Sequence, residues 1–234
     1  MIKINYNKHE GEWISISDLM TGLMIIFLFI AICFMDNLQA KANQIKRVAV
    51  AYQEVQESLY NDLDKEFKND LEKWKAEILK DTLSVRFNEP EVLFKVGSFE
   101  VTGRFKSILQ DFFPRYIKIM NSPKYRNNIE EIRIEGHTST EWSQNVTKMD
   151  TYFLNMKLSQ DRTRAVLEYC IDMIDTESEK EWAVKYITAN GLSYSRIVTT
   201  DGEENKIRSR RVEFRSKTAA EKKVVEIIEE IKKE

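Results

Sequence analysis

Hydrophobic residues are most concentrated close to the N-terminus, where their pattern predicts a membrane-spanning helix. Residues 19–35 include no charged side chain, and residues 14–18 extend this stretch to 22 residues. An α-helix of 22 residues is about 33 Å long, enough to cross the hydrocarbon core of a bilayer. No small-x-small cleavage site follows the stretch. We therefore predict an uncleaved transmembrane helix at 14–35, after a short polar N-terminus at 1–13.

A second pattern, of apolar residues spaced by three or four, follows the predicted anchor. Residues 36–82 contain no proline or glycine, which favours a continuous helix. The apolar positions are Ile45, Val48, Tyr52, Val55, Leu59, Leu63, Phe67, Leu71, Trp74 and Ile78. This spacing is typical of a coiled-coil seam, so we predict a helical stalk at 36–82 that pairs with a second copy or lies along a partner. A helix packed against its own domain would show the same spacing, and this alternative stays open.

From residue 83 onward, helix-like and strand-like patterns alternate, which predicts a layered domain. The predicted strands are 92–96, 129–135, 196–200 and 211–215, and the predicted helices are 105–120 and 158–174. We expect an α/β sandwich at 83–217 with its helices on one face of a mixed sheet, and an amphipathic helix at 218–234. Together with the N-terminal helix and the stalk, this makes the fold class α+β.

Composition and charge narrow the range of partners. The 234 residues include 36 basic and 38 acidic side chains, for a net charge of −2. There is no basic excess for a nucleic-acid backbone, so we exclude nucleic acid as a partner. The two cysteines, Cys33 and Cys170, are too few for a disulfide framework or a zinc cluster.

Asp18 is the candidate chemical group of the predicted membrane helix. It is the only charged side chain between Trp13 and Met35. An unpaired carboxylate inside a bilayer costs about 2.5 kcal/mol or more, so such a residue is a functional-site hypothesis by default. Ser15 and Asp18 also have the spacing of a helix capping box, with the acid at the headgroups. The residues alone leave both interpretations open.

Motifs of hydrolytic enzymes are missing from the chain. It has two histidines, His9 and His137, and neither G-x-S-x-G nor H-E-x-x-H. No glycine-rich phosphate loop follows a predicted strand. We predict that the protein is not an enzyme and carries no cofactor.

Four sequence motifs carry a family resemblance. The segments VLFKVGSFEVTGRF at 92–105, IRIEGHTS at 132–139, NMKLSQDRTRAVL at 155–167 and SRRVEF at 209–214 resemble successive motifs of the OmpA-like peptidoglycan-binding domain. Such a domain behind one transmembrane helix with an early Asp is similar to the B subunits of flagellar stator units. More closely, DLMTGLMIIFLFIAICFM with EGHTSTEW and NMKLSQDRT resembles the ZorB family, the B subunits of Zorya anti-phage defence systems.

The resemblance implies an ion-driven motor in the inner membrane. Asp18 falls where stator B subunits carry the carboxylate that binds and releases the conducted ion, H⁺ or Na⁺. The implied partners are a second copy, a pentameric multi-helix A subunit similar to ZorA, the lipid bilayer and peptidoglycan. The implied topology is a cytoplasmic N-terminus and a periplasmic domain. Counting Lys and Arg beside the helix, two before and three after, favours the opposite orientation, and the resemblance overrules this small bias.

The resemblance also implies a pocket for the free end of diaminopimelate. The implied peptidoglycan-binding residues are Thr138, Ser139, Leu154, Asn155, Leu158 and Arg162. Arg162 would contact the ligand carboxylate. Ser139 stands where most of the family has Asp, so Glu141 or backbone carbonyls would have to contact the ligand ammonium.

Two alternatives to this site and function remain. Arg162 could instead form an ordinary surface salt bridge with Asp161 or Glu168. The segment 139–155 is longer than usual for the family and adds Trp142, Tyr152 and Phe153 as apolar surface. For the whole protein, the alternatives are a flagellar-type stator B subunit and a passive, membrane-tethered cell-wall anchor.

Overall fold

A computed structural model describes residues 7–88, 90–95, 97–142, 146–219 and 229. The chain divides into two compact units, and the N-terminal one ends at Val50. The amphipathic helix predicted at 218–234 lies outside the described residues, apart from Thr218, Ala219 and Glu229.

The N-terminal unit contains most of the long helix α1, Asn7–Phe67. Between residues 16 and 40 every side chain of this helix is exposed, so apolar groups cover its whole circumference. Leu19 is 75% exposed and Phe29 is 66% exposed. A helix that is apolar on all sides is stable only in an apolar environment. In the part of the chain that the structure describes, α1 is the one helix long and apolar enough to cross a membrane.

The second unit is built on a five-stranded mixed sheet. Its strands are β1 Ala76–Leu79, β2 Ser84–Phe87, β3 Ile129–His137, β4 Ile187–Gly191 and β7 Arg211–Thr218; β5 Thr199–Thr200 and β6 Glu203–Glu204 form a separate short hairpin. The helices are α2 Leu71–Trp74, α3 Pro90–Leu93, α4 Gly103–Met120, α5 Lys148–Asp172, α6 Glu177–Tyr186 and α7 Lys206–Ser209. The strand order is β1-β2-β7-β3-β4, in which β3 and β4 are parallel and the other neighbours are antiparallel. The predicted fold class, α+β with a mixed sheet, is confirmed.

An aromatic cluster forms the core of the second unit. Alternate residues of the strands, such as Phe87 and Phe214, point to one face of the sheet, where they meet α4. The ring of Phe112, on α4, lies 5.1 Å from each of these two rings, centroid to centroid. Phe67 and Trp74 complete the cluster, with ring centroids 5.2 and 5.9 Å from Phe112. Burial of each such side chain stabilises the domain by about 1.5–3 kcal/mol.

The prediction of a continuous helix through residue 82 is wrong at its C-terminal end. Helix α1 ends at Phe67, and α2 and β1 follow it within twelve residues. Leu59, Leu63 and Phe67 are fully buried in the core of the second unit. These positions therefore do not form a seam with a second copy, because their own domain covers them. The alternative of a helix packed against its own domain holds for this part of α1.

Other element predictions had mixed outcomes. The predicted helix 105–120 is confirmed as α4, whose first turn is capped by the Thr102 hydroxyl, which accepts from the Phe105 amide. The predicted strands 129–135 and 211–215 are confirmed as β3 and β7. The predicted strand 92–96 is wrong for its described residues 92–95: α3 occupies its start, and Phe94 forms an isolated bridge to Val101.

The region after β3 departs most from the sequence prediction. Helix α5 begins ten residues earlier than predicted, at Lys148, because the Thr147 hydroxyl accepts from the Asp150 amide and caps it. On the face of α5 that packs on the sheet, several buried residues are polar, such as Asn155 and Ser159. The spacing of apolar residues therefore does not reveal the first half of this helix. Strand β4, with the sequence ITANG, was not predicted because it lacks an apolar alternation. Of the strand predicted at 196–200, only β5 is present.

Candidate functional site

Two glycines allow α5 to lie directly on the parallel strands β3 and β4. Gly136 and Gly191 are neighbours in the register of these strands. A Cβ atom on Gly136 would lie 2.6 Å from Cγ2 of Thr163, and one on Gly191 would lie 2.4 Å from the backbone nitrogen of Gln160. Neither distance is possible for a real side chain. The glycines therefore fix how closely the helix approaches the ends of the strands.

Hydrogen bonds through Ser193 connect α5 to the segments that follow β3 and β4. The amide of Thr138 donates to the Ser193 carbonyl oxygen at 2.9 Å. The Ser193 amide donates to Oγ of Ser159 at 3.0 Å, and its hydroxyl donates to the Tyr152 carbonyl oxygen at 2.9 Å. Ser193 is fully buried and has a left-handed backbone, with φ of 51°. Sequence reasoning missed this residue, because a single serine in a polar segment carries no signal.

Arg162 is a buried cation whose contacts with the described residues are hydrogen bonds to backbone carbonyls and a ring contact. It is 9% exposed, its Nε donates to the Ser98 carbonyl oxygen at 2.8 Å, and its Nη2 donates to that of Lys95 at 3.4 Å. Its guanidinium also lies 4.8 Å from the ring centroid of Phe94. Burial lowers the pKa of Arg162 to about 10, and the charge of Arg210 contributes to the same shift. Within the described ranges, no carboxylate lies within salt-bridge distance of Arg162.

The alternative of a surface salt bridge at Arg162 is wrong. The neighbouring Arg164, which is exposed, is the residue that approaches Asp161 and Glu168, at 3.9 and 3.8 Å. On a helix, positions 162 and 164 point in different directions, and only the former faces the sheet.

Among the described residues, the buried polar atoms that lack a hydrogen-bond partner include two on residues predicted for the site. The Thr138 hydroxyl and Nδ2 of Asn155 are buried, and neither forms a hydrogen bond with the described residues. Their residues are 3% and 2% exposed. Leaving a buried polar group unpaired costs about 1–3 kcal/mol. Asn155 lies two turns before Arg162 on α5, and Thr138 follows β3. Unpaired buried polar groups, and a buried cation that pairs with no described carboxylate, are typical of a site that a polar ligand completes.

The space beside Arg162 is narrow. Leu93, Phe94, His137, Ser159 and Arg162 contribute to its walls, and it has room for about one water-sized molecule, 10 Å³. This space, as the structure has it, therefore does not admit a ligand much larger than a water molecule.

The other residues predicted for the site differ in accessibility. Ser139 is buried at 2% exposure, Leu158 is half-buried, and Leu154 is 37% exposed. Glu141, the predicted substitute for a ligand-binding Asp, accepts from Lys206 Nζ at 2.7 Å and from Arg210 Nη1 at 3.2 Å. The hydrogen bond from Lys206 lowers the pKa of Glu141. Glu141 is thus already paired with two cations.

A cluster of charged side chains lies on the face of the sheet opposite the aromatic core. Carboxylate and imidazole atoms of Glu135, His137 and Glu213 lie within 4.8 Å of one another and are buried. Oε1 of Glu213 accepts from Nε of Arg211 at 2.5 Å and from Nε of Arg86 at 2.9 Å. Burial raises the pKa of Glu213, but the hydrogen bond from Arg211 and the charges of both arginines outweigh burial and lower it.

This cluster does not suit a metal ion, although its residue types could bind one. A divalent cation would have to displace two guanidinium groups from Glu213, or share the site with them at close range. Burial lowers the pKa of His137 and favours the neutral imidazole, which is the form that binds metals, so it is the two guanidinium groups on Glu213 that argue against an ion. The arrangement is that of a buried ion-pair network between strands β2, β3 and β7.

No protein-family model matches the chain. It is 47% identical over 225 residues to the Zorya protein ZorB of Escherichia coli Crooks, which covers 96% of this chain and 95% of that protein. The chain belongs to the ZorB family. A second protein of the ZorB family, from another Escherichia coli strain, is 24% identical over 215 residues, 87% of this chain and 78% of that protein.

The fold of this ZorB-family chain is shared with a solved structure. A MotB-like protein from Desulfovibrio vulgaris superimposes with a TM-score of 0.51 and 22% identity, over 71% of this chain and 96% of that one. The likeness shows a common fold for the domain. The resemblance to the ZorB family that the motifs indicated is therefore confirmed, and the fold class agrees with it.

Asp18 of this ZorB-family chain lies in the N-terminal unit. Because α1 begins at Asn7, Asp18 lies eleven residues, about three turns, inside the helix and cannot cap its N-terminus. The side chain is exposed. Three residues further on, the Thr21 hydroxyl donates to the Ser17 carbonyl oxygen at 2.8 Å, so its hydrogen bond is satisfied by the backbone of the same helix.

Proposed function

We propose that the protein is the B subunit of an ion-driven motor of the inner membrane that acts in anti-phage defence and is anchored to peptidoglycan. Membership of the ZorB family, the apolar helix α1 and the ligand-like site on the domain all support this function. The role is one of anchoring and ion binding, and no step of it requires bond-breaking chemistry.

The observation that carries the anchoring role is the buried, uncompensated charge of Arg162. A ligand carboxylate would replace the neutral carbonyls of Lys95 and Ser98 with a charge-assisted contact through two guanidinium N–H groups. Asn155 Nδ2 and the Thr138 hydroxyl offer the unpaired donor and acceptor that the rest of a zwitterionic group requires. Of the other residues predicted for the site, Ser139 is buried, Leu158 is half-buried and Leu154 is exposed.

The ammonium end of such a ligand has to be bound by neutral oxygens. Glu141 pairs with Lys206 and Arg210, so it offers no free charge. We assign the ammonium contact to the hydroxyl of Thr138, with Ser139 as its neighbour. This explains how a chain with Ser139 in the place of the usual Asp can still bind the zwitterion.

In the proposed motor, Asp18 binds and releases the conducted ion, H⁺ or Na⁺. It is the only charged side chain in the apolar part of α1, and a carboxylate at low dielectric can load from one aqueous path and discharge into another. One helix cannot enclose such a path. The function therefore requires a second copy of the chain and a pentameric multi-helix A subunit of the ZorA type.

The proposed topology places residues 1–13 in the cytoplasm, 14–35 across the inner membrane and the rest in the periplasm. It is tested with Gln53→Cys, at an exposed position of α1, in a Cys33→Ser background; the remaining Cys170 is buried. A membrane-impermeant maleimide should label Gln53→Cys in cells with a permeabilised outer membrane and should label Lys3→Cys only after lysis. The reverse pattern would contradict the topology and remove peptidoglycan as the ligand.

The anchoring role is tested with the full chain in detergent and purified peptidoglycan sacculi. Arg162→Gln keeps a donor for the Ser98 carbonyl but removes the charge, so we expect loss of about 2–5 kcal/mol of binding free energy, or at least about 30-fold weaker sedimentation with sacculi. The matched control is Arg164→Gln, two residues away and exposed, which should sediment as the wild type does. Equal sedimentation of wild type and Arg162→Gln would contradict the assigned site.

A further inference from the structure

The small space beside Arg162 has further walls that the proposed function does not use. Arg210 and Arg211, where α7 ends and β7 begins, line it together with Arg162, and none of the described residues on its walls is acidic. Its apolar walls are Leu93, Phe94 and Val212. We call the space lined by Arg162, Arg210 and Arg211 the arginine cavity.

Arg211 is already neutralised by its own domain. Its Nε donates to Oε1 of Glu213 at 2.5 Å, and its Nη1 donates to two backbone carbonyl oxygens, each at 3.1 Å. Burial lowers the pKa of His137, which also lines the cavity, and favours the neutral imidazole. The charge of the cavity therefore comes from Arg162 and Arg210.

Arg210 has only part of a counter-charge. Its Nη1 donates to Oε2 of Glu141 at 3.2 Å, and Oε1 of the same carboxylate accepts from Lys206 at 2.7 Å. Nε of Arg210 is buried and has no hydrogen-bond partner among the described residues. Arg162 pairs with no described carboxylate, so the single carboxylate of Glu141 faces three cations. The cavity is left with an excess of positive charge.

The guanidinium groups of Arg162 and Arg210 repel each other. Burial lowers the pKa of Arg162 to about 10, and the charge of Arg210 contributes to the same shift. Repulsion between like charges is stronger in a low-dielectric interior than in water, and the apolar walls of the cavity keep the dielectric low. A water molecule would form hydrogen bonds but compensate no charge, whereas an anion would do both. The charge of the cavity therefore favours an anion.

The size of the cavity limits which anion it takes. It has room for about one water-sized molecule, 10 Å³. Phosphate, sulfate and carboxylate groups have several heavy atoms, so they do not fit the space as the structure has it. A chloride ion is a single atom slightly larger than a water molecule, which makes it the common anion that suits this space.

We propose that the arginine cavity binds one chloride ion, held by Arg162 and Arg210. A guanidinium has five N–H donors, and the carbonyls of Lys95 and Ser98 take two of those on Arg162, so others remain for the ion. Nε of Arg210 supplies a further donor from a second segment of the chain. The inference does not depend on peptidoglycan binding, because the ion needs only these two guanidinium groups and the cavity that they line.

The test is thermal unfolding of the full chain in detergent, in sodium chloride, sodium acetate and sodium gluconate at one ionic strength of about 0.15 M. An ion that binds only the folded domain stabilises it by mass action, so the melting temperature should be about 2–4 °C higher in chloride than in either carboxylate salt. Arg162→Gln and Arg210→Gln each remove one of the two charges and should abolish this difference. The matched control is Arg208→Gln, at an exposed arginine of α7 that pairs with Glu77, and it should keep the difference.

A second measurement on the wild type does not depend on how well the variants fold. The folded chain should broaden the NMR signal of chloride, and an excess of bromide, a competing halide, should reverse the broadening. Equal melting temperatures of the wild type in the three salts, or a chloride signal that the protein does not broaden, would overturn the inference and leave water in the cavity.

Two other outcomes would also contradict the chloride site. A chloride effect of the same size in Arg162→Gln and Arg210→Gln would come from the surface of the domain. A higher melting temperature in acetate than in chloride would assign the cavity to a carboxylate. Neither measurement involves peptidoglycan, so sedimentation with sacculi tests the proposed function separately.

Discussion

The two ends of helix α1 have similar apolar side chains in opposite environments. Near the N-terminus, Phe27 is 63% exposed and carries apolar neighbours on every side. At the other end, Leu63 and Phe67 are fully buried in the core of the second unit. The difference teaches that one continuous helix can present an uncovered apolar surface in one part and contribute core residues to a folded domain in another.

Polar contacts fix the buried end of α1 in its domain. Arg115 of α4 donates to Oε1 of Glu66 at 2.7 Å, to the Glu66 carbonyl oxygen at 2.7 Å and to Asp70 at 3.0 Å. Its guanidinium also lies 4.9 Å from the ring centroid of Phe67. Asp62 accepts from Lys124 and Tyr125 at 2.8 and 2.6 Å, which lowers its pKa. The exposed end has no comparable set of contacts in the part that the structure describes, and its one charged side chain between Trp13 and Met35 is Asp18.

The sharpest test of this contrast changes that single charge. Asp18→Asn keeps the size and polarity of the side chain but cannot bind and release an ion, so we expect complete loss of phage protection in cells that also express the A subunit. Expression and co-purification with the A subunit should persist. Asp36→Asn, the next acid along the helix, is the control and should protect as the wild type does. Full protection by Asp18→Asn would leave a passive wall anchor as the function.

A second test removes the buried end of α1 together with α2 and β1. A fragment of residues 83–222 lacks Leu59, Leu63, Phe67 and Trp74, whose burial together stabilises the domain by about 6–12 kcal/mol, comparable to the whole stability of a typical domain. We expect this fragment to be unfolded by circular dichroism, whereas residues 51–222 should unfold cooperatively in urea. Cooperative unfolding of the shorter fragment would show that the core does not need α1, α2 and β1.

A third test compares one phenylalanine from each end. Phe67→Ala leaves a cavity among Trp74 and Phe112, and should lower the free energy of unfolding by about 3–5 kcal/mol. Phe27→Ala in the full chain should leave the unfolding transition of the domain unchanged. Similar effects of both changes on that transition would contradict the difference in environment.

The smallest expected effect concerns pH and the buried network of the sheet. The pKa of His137 is lowered below 6.5 by burial, and the nearby charge of Arg211 also lowers it. At pH values between the folded and the unfolded pKa of His137, the unfolded chain binds more protons than the folded one. The contribution of His137 to the free energy of unfolding is therefore fully present above about pH 6.5 and decreases as the pH falls towards the folded pKa. The slope is at most about 1.4 kcal/mol per pH unit.

This pH dependence is measured by urea unfolding of residues 51–222 at about pH 7 and pH 5. His137→Gln cannot take up a proton, so its stability should change less than that of the wild type between these two values. The buried acids Glu135 and Glu213, whose pKa values are lowered below 4.5, lose their contribution only at more acidic pH. An unchanged slope in His137→Gln would assign the pH dependence to other groups.

Much of the fold was determined by local patterns in the sequence. The uninterrupted apolar run predicts the N-terminal part of α1 because a long run of apolar residues without Pro favours a helix that needs an apolar environment on all sides. Apolar residues spaced by three or four in α4, and alternating apolar residues in β3 and β7, indicate which face of each element is buried. The family motifs at Gly136 to Ser139 and Asn155 to Arg162 locate the candidate site by residue type and spacing, because its polar groups come from two short, contiguous segments.

Tertiary structure alone decided what covers each apolar face and which polar groups remain unpaired. The spacing at Leu59, Leu63 and Phe67 suits a coiled coil and a domain core equally, because both require the same stripe on a helix. Likewise, Arg162 and Arg164 are two residues apart and look alike in the sequence. The packing of α5 on Gly136 and Gly191 buries Arg162 away from described carboxylates. Arg164 stays exposed and lies near Asp161 and Glu168. Burial and pairing depend on contacts between residues far apart in the chain, and local patterns do not contain them.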